Sequence, residues 1–135
     1  MASYGPPITT EQAKKAVSFA LAEARANNWT MAAAVVDPGG ILVYFERMDD
    51  TQNASSKIAI DKATSAALFK RPTKMFQDSV ERGGIGLRVM KLRGVIPVEG
   101  GVPLVINGQI VGGLGVSGGT AEQDGQCAKA ATEAM

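Results

Sequence analysis

The residues able to do chemistry gather toward the C-terminal part of the chain. Gly113-Leu114-Gly115-Val116-Ser117-Gly118 runs through Gly119 and Thr120 into Glu122 and Asp124. Ser117, Gly118 and Gly119 can turn free backbone N–H groups toward a carboxylate or other anion at a helix N-terminus. The plainer alternative is that the glycines only make the turn, while Glu122 and Asp124 answer the helix dipole. The same two carboxylates could hold a hard cation or move protons. Lys62 lies on an otherwise small-residue helix face. There it can snorkel, join an ion pair, or act as a catalytic amine. Arg47 and Asp49 close a predicted hairpin and could rim a pocket. Arg71 precedes a helix start where an anion could be held. Gly100-Gly101 marks a turn with unusual dihedrals. Tyr44 and Cys127 read as packing residues.

Absences narrow this chemistry. The chain has no histidine and one cysteine. A Ser-His-Asp triad, a Cys-His pair, a cysteine-rich or histidine-based zinc site and histidine-ligated haem are therefore excluded. Any acid–base work falls to carboxylates, Lys, Tyr or Cys. The GxGxxG match at Gly113–Gly118 is not a dinucleotide site. That fingerprint needs a further βαβ strand and an acidic residue about twenty positions on, and the match runs straight into the last helix.

The elements that must position these residues follow from pattern and punctuation. Thr9 and Gln12 form a capping box for a first helix, with Ala13, Ala16, Val17, Ala20, Leu21 and Ala24 at helical spacing. Two apolar runs, 31–36 and 41–47, flank Asp37-Pro38-Gly39-Gly40 and predict a hairpin. Ser55 to Phe69 reads as a second helix, broken at Lys70-Arg71-Pro72. Thr73 to Glu81 reads as a third, closed by Arg82-Gly83-Gly84. Ile85 to Gly94 is read as irregular. Strands are predicted at Val95–Val98, Val102–Ile106 and Gln109–Val116, the last two joined by Asn107-Gly108. Thr120 and Gln123 form a second capping box for the last helix. The order is α-β-β-α-α-β-β-β-α. It predicts an α+β fold, an antiparallel sheet of about five strands with helices packed on it, in a single domain over 1–135.

Composition agrees. Hydrophobic content of 45% and a net charge of +1 suit a globular chain and argue against nucleic-acid binding, which needs clustered cations. No apolar run is long enough for a membrane span and no signal peptide is evident, so the expected compartment is the cytoplasm.

Several stretches together carry a resemblance. Gly100-Gly101-Val102-Pro103-Leu104-Val105-Ile106, Gly108-Gln109-Ile110-Val111-Gly112 and Gly115-Val116-Ser117-Gly118-Gly119-Thr120 with Glu122-Gln123-Asp124 resemble the GlcG/HbpS-like family (DUF336, with the haem-degrading HbpS-like proteins and the PduO C-terminal domain). Val36–Gly40, Arg47-Met48-Asp49, Lys62-Ala63 and Phe69 with Arg71-Pro72-Thr73 agree. The resemblance implies a profilin-like fold and a homo-oligomer, often an octamer. It implies a small-molecule ligand: haem, a corrinoid or a small organic acid. Haem would have to bind without a histidine ligand, through Met, Tyr, Lys, Cys or an oxygen donor. The alternative is a small catabolic-pathway enzyme, a lyase, isomerase or hydrolase acting on a carboxylated metabolite. Arg47, Lys62 or Arg71 would then bind the anion and Glu122 or Asp124 would move protons. A third alternative is a structural subunit with no ligand.

Overall fold

A computed structural model describes all 135 residues. In chain order the elements are α1 (Thr10–Ala26), β1 (Ala32–Val36), β2 (Leu42–Arg47), α2 (Ala54–Phe69), α3 (Thr73–Arg82), a 3-10 segment (Gly84–Lys91), β3 (Gly101–Ile106), β4 (Gln109–Ser117) and α4 (Ala121–Ala134). Both capping boxes form: the Thr9 hydroxyl accepts from Gln12 N–H and the Thr120 hydroxyl from Gln123 N–H. Each saves a helix start from leaving its first N–H groups unpaired. Both hairpin turns form as well. Asp37 Oδ1 accepts from the N–H groups of Gly39 and Ile41. Asn107 and Gly108 both take positive φ, 52° and 76°, as a tight two-residue turn demands.

The sheet has four strands in the order β2-β1-β4-β3, all antiparallel. The expected strand at Val95–Val98 does not form, which corrects the five-strand expectation. Pro97 has no N–H to give a ladder. The neighbouring donors are taken by helix side chains: Ile96 N–H donates to Ser65 Oγ and Glu99 N–H to Gln77 Oε1. The segment is thereby tied to α2 and α3 as a loop. The stretch 85–94, expected to be irregular, holds 3-10 turns through Lys91.

The sheet is covered on both faces. Ala33, Val35, Leu114 and Val116 join the core formed with α1 and α4, which includes Val17, Leu21, Cys127 and Ala128. On the other face Ala32, Ala34 and Val36 meet Ala59, Ala63 and Ala67 of α2. This explains why every residue of β1 is buried although its sheet is antiparallel. The α2 side is packed unusually close. A Cβ on Gly113 would strike the Ala63 carbonyl, and one on Gly115 would strike the Ala59 carbonyl and Ala63 N. The glycines of β4 are thus the seat of α2, and α2 in turn sets the place of Lys62.

Candidate functional site

Lys62 lies on the sheet-facing side of α2, and its ammonium group is sealed in. Its side chain is 1% exposed, and Nζ donates to Asp124 Oδ2 at 2.8 Å and to the Val116 carbonyl at 3.0 Å. Asp124 is 3% exposed and belongs to α4. The pair therefore ties the helix on one face of the sheet to a helix on the other. Gly100 makes room for it. A Cβ there would lie 2.8 Å from Lys62 Nζ and 2.6 Å from the Val116 carbonyl, and φ is +132°. Gly101 is equally constrained, since a Cβ would strike the Lys62 carbonyl and meet Thr73 Cγ2 at 2.8 Å. Its N–H donates to Thr73 Oγ1 at 2.9 Å. Burial raises the Asp124 carboxyl above its ordinary range, opposed by Lys62 and by the N–H groups of Gly119 and Gly118.

The glycine turn before α4 already holds an anion, and it is the chain's own. Gly119 N–H donates to Asp124 Oδ1 at 2.9 Å, Thr120 N–H to Gln123 Oε1 at 3.0 Å. Ser117 reaches the other way: its hydroxyl donates to Ser55 Oγ at 3.2 Å in a buried contact. So Lys62, Asp124, Gly100, Gly101, Gly118 and Gly119 come together around one buried ion pair.

At the N-terminal end of α4 the surface opens into a cleft of about 670 Å³, lined by Lys74, Gln77, Glu99, Thr120, Ala121 and Glu122. Of these only Glu122 is an expected site residue. Glu99 lies flat on α4: a Cβ on Gly125 would strike its carboxylate. Burial and Glu122 raise the Glu99 carboxyl, while Lys74 lowers it. Lys74 Nζ also donates to Asp78 at 3.0 Å. Glu99 stands in a Pro/Gly-rich loop with no periodicity to single it out. The available signal was Gly125, a glycine in mid-helix where propensity disfavours one.

Arg71 lines a different pocket, of about 250 Å³, with Met75, Phe76, Asp78, Ser79, Arg82 and Val89. Its Nε donates to the Phe69 carbonyl at 2.8 Å and its guanidinium lies 5.7 Å from the Phe76 ring centre. Arg82 Nη2 donates to Ser79 Oγ at 3.1 Å. Neither guanidinium has a carboxylate partner; the four ion pairs of the molecule are Arg25–Glu46, Lys62–Asp124, Lys74–Asp78 and Lys129–Glu133. The 3-10 segment lends Val89 to this pocket and exposes Ile85, Leu87 and Met90. Arg47 and Asp49 stand apart from both places, in a shallow cleft with Arg25, Glu46 and Met48. Arg47 Nη1 donates to Asn53 Oδ1 at 3.3 Å. Tyr44 donates to Glu46 at 3.1 Å. Cys127 is wholly buried, and burial pushes its thiol up to about 12.

Comparison with known proteins agrees with this architecture. The family model described as haem degrading protein HbpS-like matches residues 8–133. Protein GlcG of Escherichia coli K12 is 39% identical over 110 residues, 82% of this chain and 81% of GlcG. The structure of Klebsiella pneumoniae protein ORFY superposes with a TM-score of 0.86 at 32% identity, covering 98% of this chain and 92% of that one. The PduOC:haem complex superposes with a TM-score of 0.84 at 30% identity, covering 96% and 95%.

Proposed function

The chain belongs to the HbpS-like (DUF336) family, and from that premise we propose that it is a small-molecule-binding protein whose ligand is haem. The observation that carries this reading is the likeness, along nearly the whole chain, to a relative whose structure is a haem complex. The same reading takes the chain as one GlcG/HbpS-like domain that works as a homo-oligomer. Exposed Ile41 and Leu42 at the edge strand β2 support self-association.

The residues present fit such a ligand, with a donor set unlike an imidazole site. Haem is a broad apolar ring with two carboxylates on one edge. The α3 and 3-10 surface offers exposed apolar side chains beside unpaired arginines. Bound haem would supply iron-centred redox and ligand-exchange chemistry. Exposed Ile85 and Leu87 would be available to the ring, and Arg71 and Arg82, which have no carboxylate partner, would be available to its carboxylates. Haemin titrated into the purified chain is expected to give a shifted, saturable Soret band with micromolar or tighter affinity, and to raise the melting temperature. An unchanged haemin spectrum would remove this reading.

A second reading, a small enzyme acting on a carboxylated metabolite, is favoured by the cleft at Glu99. A half-buried carboxyl with a raised pKa beside an ammonium group suits proton transfer next to a bound carboxylate. In that case Glu99 and Lys74 take the roles first expected of Asp124 and Lys62, whose charged groups are engaged with each other.

A further inference from the structure

We propose that the pocket between α3 and the 3-10 segment is a binding site for a small dicarboxylate, whose two carboxylates are taken by Arg71 and Arg82. The pocket is built by the fold. The 3-10 segment is seated on α3 at Gly86, where a Cβ would strike the Ser79 carbonyl. Val89 stands three residues on, one 3-10 turn later, and so lies on the same side as Gly86 and walls the pocket. Phe76 lines it from within: it is 4% exposed and meets the Phe69 ring edge to face at 5.4 Å. The cations in the pocket are held in place but not neutralised. Arg71 Nε donates to the Phe69 carbonyl at 2.8 Å, and its guanidinium lies 5.7 Å from the Phe76 ring centre. Both Nη groups of Arg71 are left without a protein acceptor. Arg82 gives Nη2 to Ser79 Oγ at 3.1 Å and keeps Nε and Nη1. The one carboxylate lining the pocket, Asp78, is engaged by Lys74 at 3.0 Å. No Asp or Glu occurs from Arg82 to Val98, while Arg88, Lys91 and Arg93 do. The local field is therefore positive, and neither guanidinium has a counterion of its own.

Three features set the ligand class. Two guanidinium groups with open forks suit planar oxyanions. The apolar lining of Met75, Phe76 and Val89 suits a carbon body rather than a bare inorganic anion. At about 250 Å³ the pocket falls below the usual range for drug-sized ligands, about 300–1,000 Å³, so the ligand is short. A dicarboxylate of roughly four or five carbons meets all three demands. The site shares no lining residue with the cleft at Glu99, and it stands independently of the haem reading.

Calorimetric titration of the full chain with succinate, glutarate, acetate and inorganic phosphate tests the site. Succinate or glutarate is expected to bind saturably, with a Kd of about 1 mM or tighter, and acetate and phosphate at least about tenfold more weakly. Arg71→Gln and Arg82→Gln should each weaken the dicarboxylate by about tenfold or more, the loss of one charge-assisted pair. Arg88→Gln removes the same charge outside the pocket and should change affinity by less than about twofold. Circular dichroism checks the folding of each variant. Because Arg71 also holds the Phe69 carbonyl, Val89→Trp provides a second route: it fills the pocket from the 3-10 segment and should block binding with both arginines in place. The proposal is overturned if the folded wild type binds neither dicarboxylate, or if both arginine variants and Val89→Trp bind as the wild type does. It is equally overturned if Arg88→Gln weakens binding as much as the pocket variants, or if phosphate binds as tightly as the dicarboxylates.

Discussion

Cutting Lys62 back to methionine would strand the Asp124 carboxylate in a site where both side chains are at most 4% exposed. The N–H groups of Gly119 and Gly118 would be left facing it. Breaking a buried pair from one side costs about 3–5 kcal/mol, whereas replacing both charges with apolar groups is often close to neutral. Lys62→Met is therefore expected to lower stability in urea unfolding by about that amount, and Lys62→Met/Asp124→Leu to recover much of it. Equal losses in the single and double variants would show that the pair is not coupled. The sequence singled out both residues for their charge on helix faces. It could not pair them, because 62 positions separate them and no local pattern encodes a contact across a sheet. Glu99 was invisible for a related reason: its meaning comes from Gly125 on an element that lies beside it only after folding.

Among the elements, β4 shows how glycine pattern becomes architecture. Gly113 and Gly115 leave room for another backbone to come close, and the backbone is that of α2. Gly115→Ala would push against the Ala59 carbonyl and Ala63 N of a helix that cannot yield locally. Overpacking typically costs about 1–3 kcal/mol, and rigid backbone neighbours place this case at the upper end, about 3 kcal/mol. Gly108→Ala has no atom within 4 Å of the new Cβ, but its φ is +76°. It should cost only about 1–2 kcal/mol, the left-handed penalty. Denaturant midpoints of the two variants decide whether close approach or backbone conformation is the larger demand. Capping boxes and Asn-Gly were legible because their physics lies within four residues. Val95–Val98 misled because short apolar runs are ambiguous, and its backbone donors are claimed by Ser65 and Gln77 from distant helices.

At the scale of the whole molecule, Cys127 reports on global opening. It sits in the core shared by α1, α4 and the sheet, and its thiol is pushed up to about 12. At pH 8 the folded thiolate fraction is then about 1 in 10,000, against about a quarter for an ordinary thiol of pKa near 8.5. Native protein should react with a disulfide reagent only through unfolding, with a rate that rises with urea along the global unfolding slope. A rate insensitive to urea would reveal a local opening of α4 instead.

The sheet order also has a consequence during synthesis. β1 lies between β2 and β4, and Ala32 pairs with Arg47 on one side and Ser117 on the other. The β1–β2 hairpin can close as soon as both strands leave the ribosome. The opposite edge of β1 must wait until the chain has been made through residue 117 and β4 has left the ribosome. Until then a wholly apolar strand has one bare edge, and α2 emerges before the glycines on which it will rest. This architecture delays completion of the sheet until its last strand in chain order has been made, and the nascent chain is most exposed to wrong partners in the interval before β4 arrives.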